Sequence, residues 1–257
     1  MTSLVGTRRG ATVGSVVGST AGGVAVYPQT SAHVAALTGV TPSALYLYRA
    51  TSGAVTDVLG GTSLAAGGAP TYQAQVGDGI GVDYATAGAY HRADVNGLGV
   101  ASWLYAAIFR APMSAVPSLP TVIGRFDAGE TIGAALYLQT NQSVTMLVRD
   151  GVSTLVVSSP PATLELGGLY LAQLQIDRAA AQARVRVSRL YGGAVYAAAG
   201  SIAGYGTLST AGQNFGTGAI SASLTYGCAV SWVMAATGAQ VEGAGLPASF
   251  AQSLGAE

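Results

Sequence analysis

The sequence predicts an all-β protein, an antiparallel β-sandwich of the jelly-roll type with an extended N-terminal arm and a short C-terminal helix. Three observations predict this fold: beyond residue 40 the apolar residues recur with a period of two, turns rich in Gly, Pro and Asp separate short segments, and helical patterns are scarce. All-β domains often reach about 200–250 residues as one unit. The expected division is an arm over residues 1–41 and one sandwich over residues 42–257, with the helix within residues 247–254.

The clearest predicted hairpin spans residues 143–158 and turns at Asp150-Gly151. This dipeptide favours the positive φ angles of a type I′ turn, so a two-residue loop is expected. One face of the hairpin is then mostly apolar, which is what a strand pair over a core requires. The expected register pairs Val148 with Ser153, Met146 with Leu155 and Val144 with Val157.

Residues 169–177 and 183–187 form a second predicted strand pair with an apolar face on each strand. Arg184 and Arg186 alternate with those apolar residues, and we interpret them as a solvated outer face that protects a sheet edge. Residues 103–109 lack charged side chains and are apolar on both faces, which predicts a central strand that is covered on both sides.

The last predicted strand covers residues 226–234. Cys228 is the single cysteine, so it cannot form an intrachain disulfide, and we interpret it as a small buried hydrophobe rather than a nucleophile. Strict alternation would place five side chains on one face, namely Tyr226, Cys228, Val230, Trp232 and Met234.

The chain carries almost no charge. It has 11 Arg, 7 Asp, 4 Glu and no Lys, so charged residues make up 9% of the sequence, against about 25% in ordinary soluble domains. Hydrophobic residues make up 50%, which excludes intrinsic disorder. Scattered arginines balanced by acids supply no basic field, which excludes a nucleic-acid binder. A nearly uncharged surface suits a protein that packs against copies of itself or a larger assembly.

Residues 1–26 admit three interpretations, of which an extended arm ordered by a neighbouring subunit fits best. Arg8 and Arg9 precede an uncharged run, as in a twin-arginine leader, but the run is too rich in Gly, Ser and Thr. Glycines recur at every fourth position from Gly10 to Gly22, as in paired membrane helices. Ser and Thr interrupt the apolar residues between them, so no membrane span is expected.

Several short patterns follow one another in the order known from one family. The apolar strand over residues 45–49 precedes a turn region of the form D-x-x-G…L…G-x-P-x-Y from Asp57 to Tyr72. A G-x-x-V/L-D-F/Y strand over residues 79–84 and the pair at residues 89–90 come next. In this order the segments resemble the opening of laminin-G-like, concanavalin A-like jelly-roll domains.

The later segments extend this resemblance over residues 42–257. Residues 101–110 resemble the family's central strand, and residues 123–127 resemble its I-x-S/G-R/K-x-D element. Residues 169–187 resemble its W-x-H-V-A-x-x-x-D…R-V-Y-V-N-G strand pair, with Asp177 in the position of the Asp. The Trp-x-His of that pair is replaced by Leu-Tyr-Leu, and no Asn-Gly follows its second strand.

Domains of this family occur in bacteriophage tail and head proteins, in lectins and in some glycoside hydrolases. The resemblance implies a non-enzymatic structural virion protein, either a head decoration, a fibre or a tail component. Residues 1–41 would attach it to other virion proteins, and its copies would form a trimer or another symmetric oligomer. Such a protein is expected on the virion surface after assembly in the host cytoplasm. The alternative is a carbohydrate-binding module or adhesin that recognises cell-surface glycans.

No enzyme, cofactor or metal is expected. Glycoside hydrolases need two carboxylates across a cleft, and the E-x-D-x-x-E strand of glucanases with this fold is absent. Asp127 and Glu130 lie in one expected turn rather than on one strand face. His33 and His91 are too far apart in sequence for a usual zinc motif and give no recognisable Ser/His/Asp order.

Two sets of residues are candidates for binding. Tyr90, His91 and Arg92 would lie at a strand end, where an aromatic ring with polar partners could bind a sugar or form a subunit contact. Asp78 and Asp94 are candidates for calcium ligands, although aspartates at such positions more often cap turns.

Overall fold

The structure is a computed structural model, and it describes most of the chain beyond residue 26. Its described residues form sixteen strands, two short α-helices and one turn of 3-10 helix, and the structural statements below concern these residues. They are residues 27–76, 79–95, 97–114, 119–190, 193–220, 224, 226–243, 246–247 and 250–253. Residues 1–26, which hold most of the expected arm, lie outside them.

The helices are α1 (Ser31–Thr38) and α2 (Phe250–Ser253), and Ala239–Val241 forms the 3-10 turn. The strands are β1 (Ala44–Leu47), β2 (Ala65–Gly67), β3 (Thr71–Val76), β4 (Gly79–Asp83), β5 (Tyr90–Val95), β6 (Trp103–Arg110), β7 (Pro120–Phe126), β8 (Ile132–Leu138), β9 (Val144–Asp150), β10 (Thr154–Ser158), β11 (Leu169–Asp177), β12 (Gln182–Arg189), β13 (Ala194–Ser201), β14 (Gln213–Gly218), β15 (Tyr226–Gly227) and β16 (Ala229–Thr237).

Two sheets of these strands confirm the predicted all-β sandwich. The first sheet has the order β13-β12-β11-β6-β16-β4-β3, with β1 also paired to β16. The second has the order β10-β9-β8-β7-β14-β5-β2, with β15 beside β7. Every strand pair in the described chain is antiparallel apart from the two-residue contact of β15 with β7. Neighbours such as β6 and β16 lie far apart in sequence, so distant segments build the centre of the first sheet.

Strand β6 is buried on both faces, as its sequence predicts. Trp103 and Phe109 point into the core between the sheets, whereas Leu104 and Ile108 belong to a second apolar cluster on the outer face of the first sheet. The apolar face predicted for β11 is also confirmed, because Tyr170, Ala172, Leu174 and Ile176 line the main core.

The β9–β10 hairpin has the predicted core face but not the predicted register. Val148 lies opposite Leu155 rather than Ser153, a shift of two residues along the partner strand. The loop residues are Gly151 and Val152, and the Asp150 carboxylate accepts hydrogen bonds from the backbone of both Val152 and Ser153. A shift of two residues leaves every side chain on its original face, so the face was predicted correctly and the pairing was wrong.

The prediction that one face of β16 carries five alternating residues is also wrong. A bulge falls between Val230 and Trp232, opposite β6. Cys228 and Val230 therefore face the main core, whereas Trp232 and Met234 face the outer cluster. An extra residue in one strand inverts the alternation beyond it. Cys228 itself is buried as predicted, and burial raises the pKa of its thiol.

Residues 27–41 do not adopt the extended form expected for the arm. They form α1, whose first turn is capped by the Thr30 side chain and whose last turn ends at Gly39 with a φ of 73°. Tyr27, Val34 and Val40 are buried against the outer face of the first sheet. This part of the expected arm therefore belongs to the sandwich and covers an apolar sheet face.

Hydrogen bonds also fix this covering segment to the sheet. The indole of Trp232 donates to the carbonyl of Pro28 at 2.9 Å, and the Tyr27 hydroxyl donates to the carbonyl of Val76 at 3.3 Å. The Gln240 side chain accepts from the Thr41 N–H and donates to the Thr41 carbonyl. The predicted C-terminal helix is present as α2, and Phe250 packs into the same outer cluster.

Two truncations of different length test whether residues 27–40 belong to the fold. Deletion of residues 1–40 is expected to lower the free energy of unfolding by roughly 3 kcal/mol or more, because it exposes apolar surface and each buried side chain contributes about 1.5–3 kcal/mol. Deletion of residues 1–26 is expected to leave it close to that of the full chain. Urea unfolding of both variants makes the comparison. Equal stability of the two truncated proteins would contradict the covering role.

Candidate functional site

The three candidate residues on β5 do not form one site, because strand alternation separates them. His91 is fully buried between the sheets, whereas Tyr90 and Arg92 lie on the opposite face of the strand. The Arg92 guanidinium lies 4.0 Å from the centroid of the Tyr90 ring and donates to the carbonyl of Ala219 at 2.9 Å. Tyr90 and Arg92 thus interact with each other, and His91 has separate neighbours.

Three tyrosine rings surround His91 at nearly perpendicular angles, with centroids 5.6–5.9 Å from the imidazole. They belong to Tyr48, Tyr72 and Tyr84. His91 Nε2 lies 2.7 Å from the Gly53 carbonyl, which can only accept, so Nε2 carries the hydrogen. Nδ1 then accepts from the Tyr84 hydroxyl at 2.8 Å.

This histidine–tyrosine box is electrically neutral. Burial lowers the pKa of His91 and raises the pKa values of Tyr48 and Tyr84. An uncharged imidazole with both nitrogens bonded inside the protein has no free position for a substrate. The box joins β5 to Tyr72 on β3 and to the residues that directly follow β1 and β4, so it links the two sheets.

The neutral imidazole makes stability depend on pH. The unfolded chain binds a proton at His91 near pH 6.5, whereas the folded chain resists protonation until lower pH. Stability is therefore expected to fall as the pH drops from 7.5 to 5.5, by at most about 1.4 kcal/mol per pH unit. Urea unfolding at both pH values measures this effect.

The H91Q variant is the test of this assignment, and H33Q is its matched control. H91Q is expected to be less stable at both pH values but to lose the pH dependence between them, whereas H33Q keeps it. An H91Q protein with the pH dependence of the unsubstituted chain would contradict the assignment.

The two acidic residues considered for catalysis, Asp127 and Glu130, have structural partners. Asp127 accepts hydrogen bonds from Thr131 and Ile132 in its own turn, and Glu130 lies 3.8 Å from Arg149. Asp94 is exposed on β5, and Asp78 lies outside the described residues. The described part of the chain contains no group of three or more His, Cys, Asp or Glu residues that could hold a metal. None of its helices is long and apolar enough to cross a membrane.

A polar cleft lies on the outer face of β11, β12 and β13, which the sequence did not lead us to expect. Its volume is about 260 Å³. Two rows of side chains cross the three strands here, because Gln173 pairs with Arg186 and Gln175 pairs with Arg184. Alanines of β13 continue both rows. The lining residues are Gln173, Gln175, Arg184, Val185, Arg186, Ala197, Ala198 and Ala199.

The two arginines of the cleft differ in how their charge is balanced. Arg184 lies 2.6 Å from the buried carboxylate of Asp177, which also accepts from the Gly243 N–H at 2.8 Å. Arg186 donates to the carbonyl of Leu246 at 2.8 Å. Within the described part of the chain no carboxylate pairs with Arg186, whose positive charge these residues leave unbalanced.

The two glutamines of the cleft differ in whether their side-chain amides have hydrogen-bond partners. The Gln175 amide donates to the carbonyls of Val241 and Gly243. Gln173 is only 4% exposed, yet its side-chain amide has no hydrogen-bond partner among the described residues. Its amide borders the open cleft rather than being sealed in the interior, so water or a ligand can bond to it there.

These cleft residues correct one prediction. Arg184 and Arg186 are half-buried rather than on a fully solvated face, and β12 is not an edge strand because β13 pairs with it. A signal for the cleft was present in the sequence, since Gln-Leu-Gln at residues 173–175 and Arg-Val-Arg at residues 184–186 lie on two strands predicted to pair. Strand register was needed to bring the four side chains together.

Comparison with known proteins finds no matching family model and no matching curated protein. Among solved structures, the chain is similar to Trypanosoma rangeli sialidase in complex with 2,3-difluorosialic acid, with a TM-score of 0.57 and 14% identity over 83% of this chain and 32% of that one. It is also similar to the enzymatically active domain of bacteriophage CBA120 tailspike protein 2, with a TM-score of 0.50 and 12% identity over 65% of this chain and 27% of that one.

A weaker similarity is to Ruminococcus gnavus IT-sialidase CBM40 bound to α2,3-sialyllactose, with a TM-score of 0.44 and 10% identity over 56% of this chain and 88% of that one. The chain spans about a third of the sialidase and about a quarter of the tailspike domain. At these identities the two stronger similarities show a shared β-sandwich fold. The narrower laminin-G-like assignment stays a prediction.

Proposed function

We propose that this chain is a non-enzymatic structural component of a bacteriophage-like particle, present in several copies and exposed on the virion surface. The observation that carries this proposal is the pair of uncharged strand edges on one side of the sandwich. The acids Asp127, Glu130 and Asp177 are all bound to turns or arginines, which supports a role without catalysis. Residues 1–26 are the proposed attachment to other virion proteins, and assembly takes place in the host cytoplasm.

Strands β10 and β13 end the two sheets and lie side by side. Gly200 of β13 packs against Leu155 and Val157 of β10, so both edges belong to one surface. Neither strand contains a charged residue or proline, and residues 190–241 contain no charge at all. Edge strands usually carry charges, prolines or bulges that prevent pairing with other chains. The only such device in these two strands is a bulge near Val195, which leaves Tyr196 to Ser201 regular.

An uncharged edge of this kind supports pairing with a second copy of the same chain. Antiparallel pairing of two identical strands about a two-fold axis uses the same surface on both copies. No repulsion between like charges opposes it, because none are present on β10 or β13. Repeated contacts of this type would explain why a protein with 9% charged residues can persist without the usual solubilising surface.

Lysine substitutions at the edges test this assembly. Val156 on β10 and Val195 on β13 are exposed, and the V156K/V195K double variant is expected to be monomeric at concentrations where the unsubstituted chain self-associates. The control V58K/V152K places the same charges on exposed valines in turns and is expected to associate normally. Sedimentation velocity distinguishes these states. A monomeric unsubstituted chain at high concentration, or an associated edge variant, would contradict the proposal.

A second candidate function is the binding of a glycan, and the polar cleft is the observation that favours it. Carbohydrate sites combine hydrogen-bonding side chains with apolar surface for the sugar ring, and the cleft offers two glutamines, two arginines and an alanine wall. Glycan binding and assembly are compatible, since a virion surface protein can do both.

A further inference from the structure

We infer that the cleft binds a sugar carrying a carboxylate, with Arg186 as the cation and Gln173 as the hydrogen-bonding partner. This inference rests on the second candidate function, glycan binding. It names the chemical class of the ligand and the two side chains that would select it.

The charge of the cleft favours an anion. Arg184 is balanced by Asp177 at 2.6 Å, and Asp177 is completely buried, so this pair adds no net charge. Arg186 adds one positive charge that no described carboxylate balances. One of its terminal nitrogens, Nη1, binds the carbonyl of Leu246, which leaves the Nε and Nη2 donors. A guanidinium with adjacent donors fits the two oxygens of a carboxylate.

The remaining surface favours a sugar over a simple acid. Gln173 lies opposite Arg186 on the neighbouring strand, so its amide faces a ligand held by that guanidinium. An amide can donate and accept, as a sugar hydroxyl requires. On the other side Arg186 pairs with Ala197, and the small alanines leave an apolar wall for the C–H groups of a ring. A cleft of about 260 Å³ is slightly smaller than typical ligand sites of about 300–1,000 Å³, which suits a single sugar ring.

The other polar residues hold the site in shape. Gln175 and Arg184 both bind backbone carbonyls of the segment that covers the sheet, including that of Gly243. They are positioning residues, and their bonds keep the covering segment at the border of the cleft. Gln173 and Arg186 are the residues with bonding capacity left for a ligand.

The experiment is a calorimetric titration of the full chain with three carboxylated oligosaccharides: trigalacturonate, 3′-sialyllactose and a hyaluronan tetrasaccharide. Each is paired with a neutral counterpart in which the carboxylates are methyl-esterified, so each pair differs only in the charge of the acid. At least one acid is expected to bind, and its neutral counterpart is expected to bind at least about tenfold more weakly, because the charge-assisted bond is lost.

Variants then assign the binding to the cleft. R186Q is expected to weaken binding of the acid by at least about tenfold. R186K should retain part of the affinity for the acid, since lysine keeps the positive charge but cannot form the bidentate hydrogen bonds of a guanidinium. Q173A is expected to weaken the acid and its neutral counterpart by similar factors. R49Q, an exposed arginine outside the cleft, is the matched control and should bind as the unsubstituted chain does. Thermal melting confirms that each variant is folded.

The outcomes separate the inference from the function on which it rests. Equal binding of an acid and its neutral counterpart would overturn the inference that the carboxylate is recognised, but it would still support glycan binding. Binding that R186Q does not change would place the site elsewhere and overturn the inference. No binding of any of the six probes at millimolar concentration would overturn both glycan binding and the carboxylate. The assembly proposal is decided separately, by sedimentation of the edge variants.

Discussion

The centre of the first sheet is apolar on both faces, and neither face can remain in water. Strand β6 sends Trp103 and Phe109 into the sandwich and Leu104 and Ile108 out of it. The second sheet covers only the inner side. Segments from both ends of the described chain must therefore cover the outer side, and α1 and α2 do so. Burial of this one surface explains why residues 27–41 fold with the domain.

The cleft lies where the covering segments end and the outer face of the first sheet changes from apolar to polar. From β6 to β12 the outer face passes from leucine and isoleucine to glutamine and arginine. Gln175, Arg184 and Arg186 bind carbonyls in the segment after the 3-10 turn, which fixes the border of the cover. Gln173 and the alanines of β13 lie beyond that border. The pattern that stabilises the fold thus also positions the candidate site.

The faces of strands could be predicted from the sequence, but their pairing and irregularities could not. A period of two identified both faces of β6 and the core face of β9, because side chains alternate whatever strand lies alongside. The same period could not reveal the two-residue shift in the hairpin or the bulge before Trp232, since both depend on the partner strand. The same period of two does predict that His91 lies on the opposite face of β5 from Tyr90 and Arg92. Their adjacency in the sequence alone does not place the three side chains in one site. The capping residues of α1, Thr30 and Gly39, were local signals that a helix was present.

Strand β13 has two roles, because it is a wall of the cleft and also the free edge of the first sheet. If two copies pair along this strand, their clefts come to lie close together on one continuous sheet. A ligand with repeating units could then engage both clefts, and the second contact would form at a high effective concentration. Weak recognition by a small cleft would become tight attachment through avidity, and attachment strength would depend on the state of assembly.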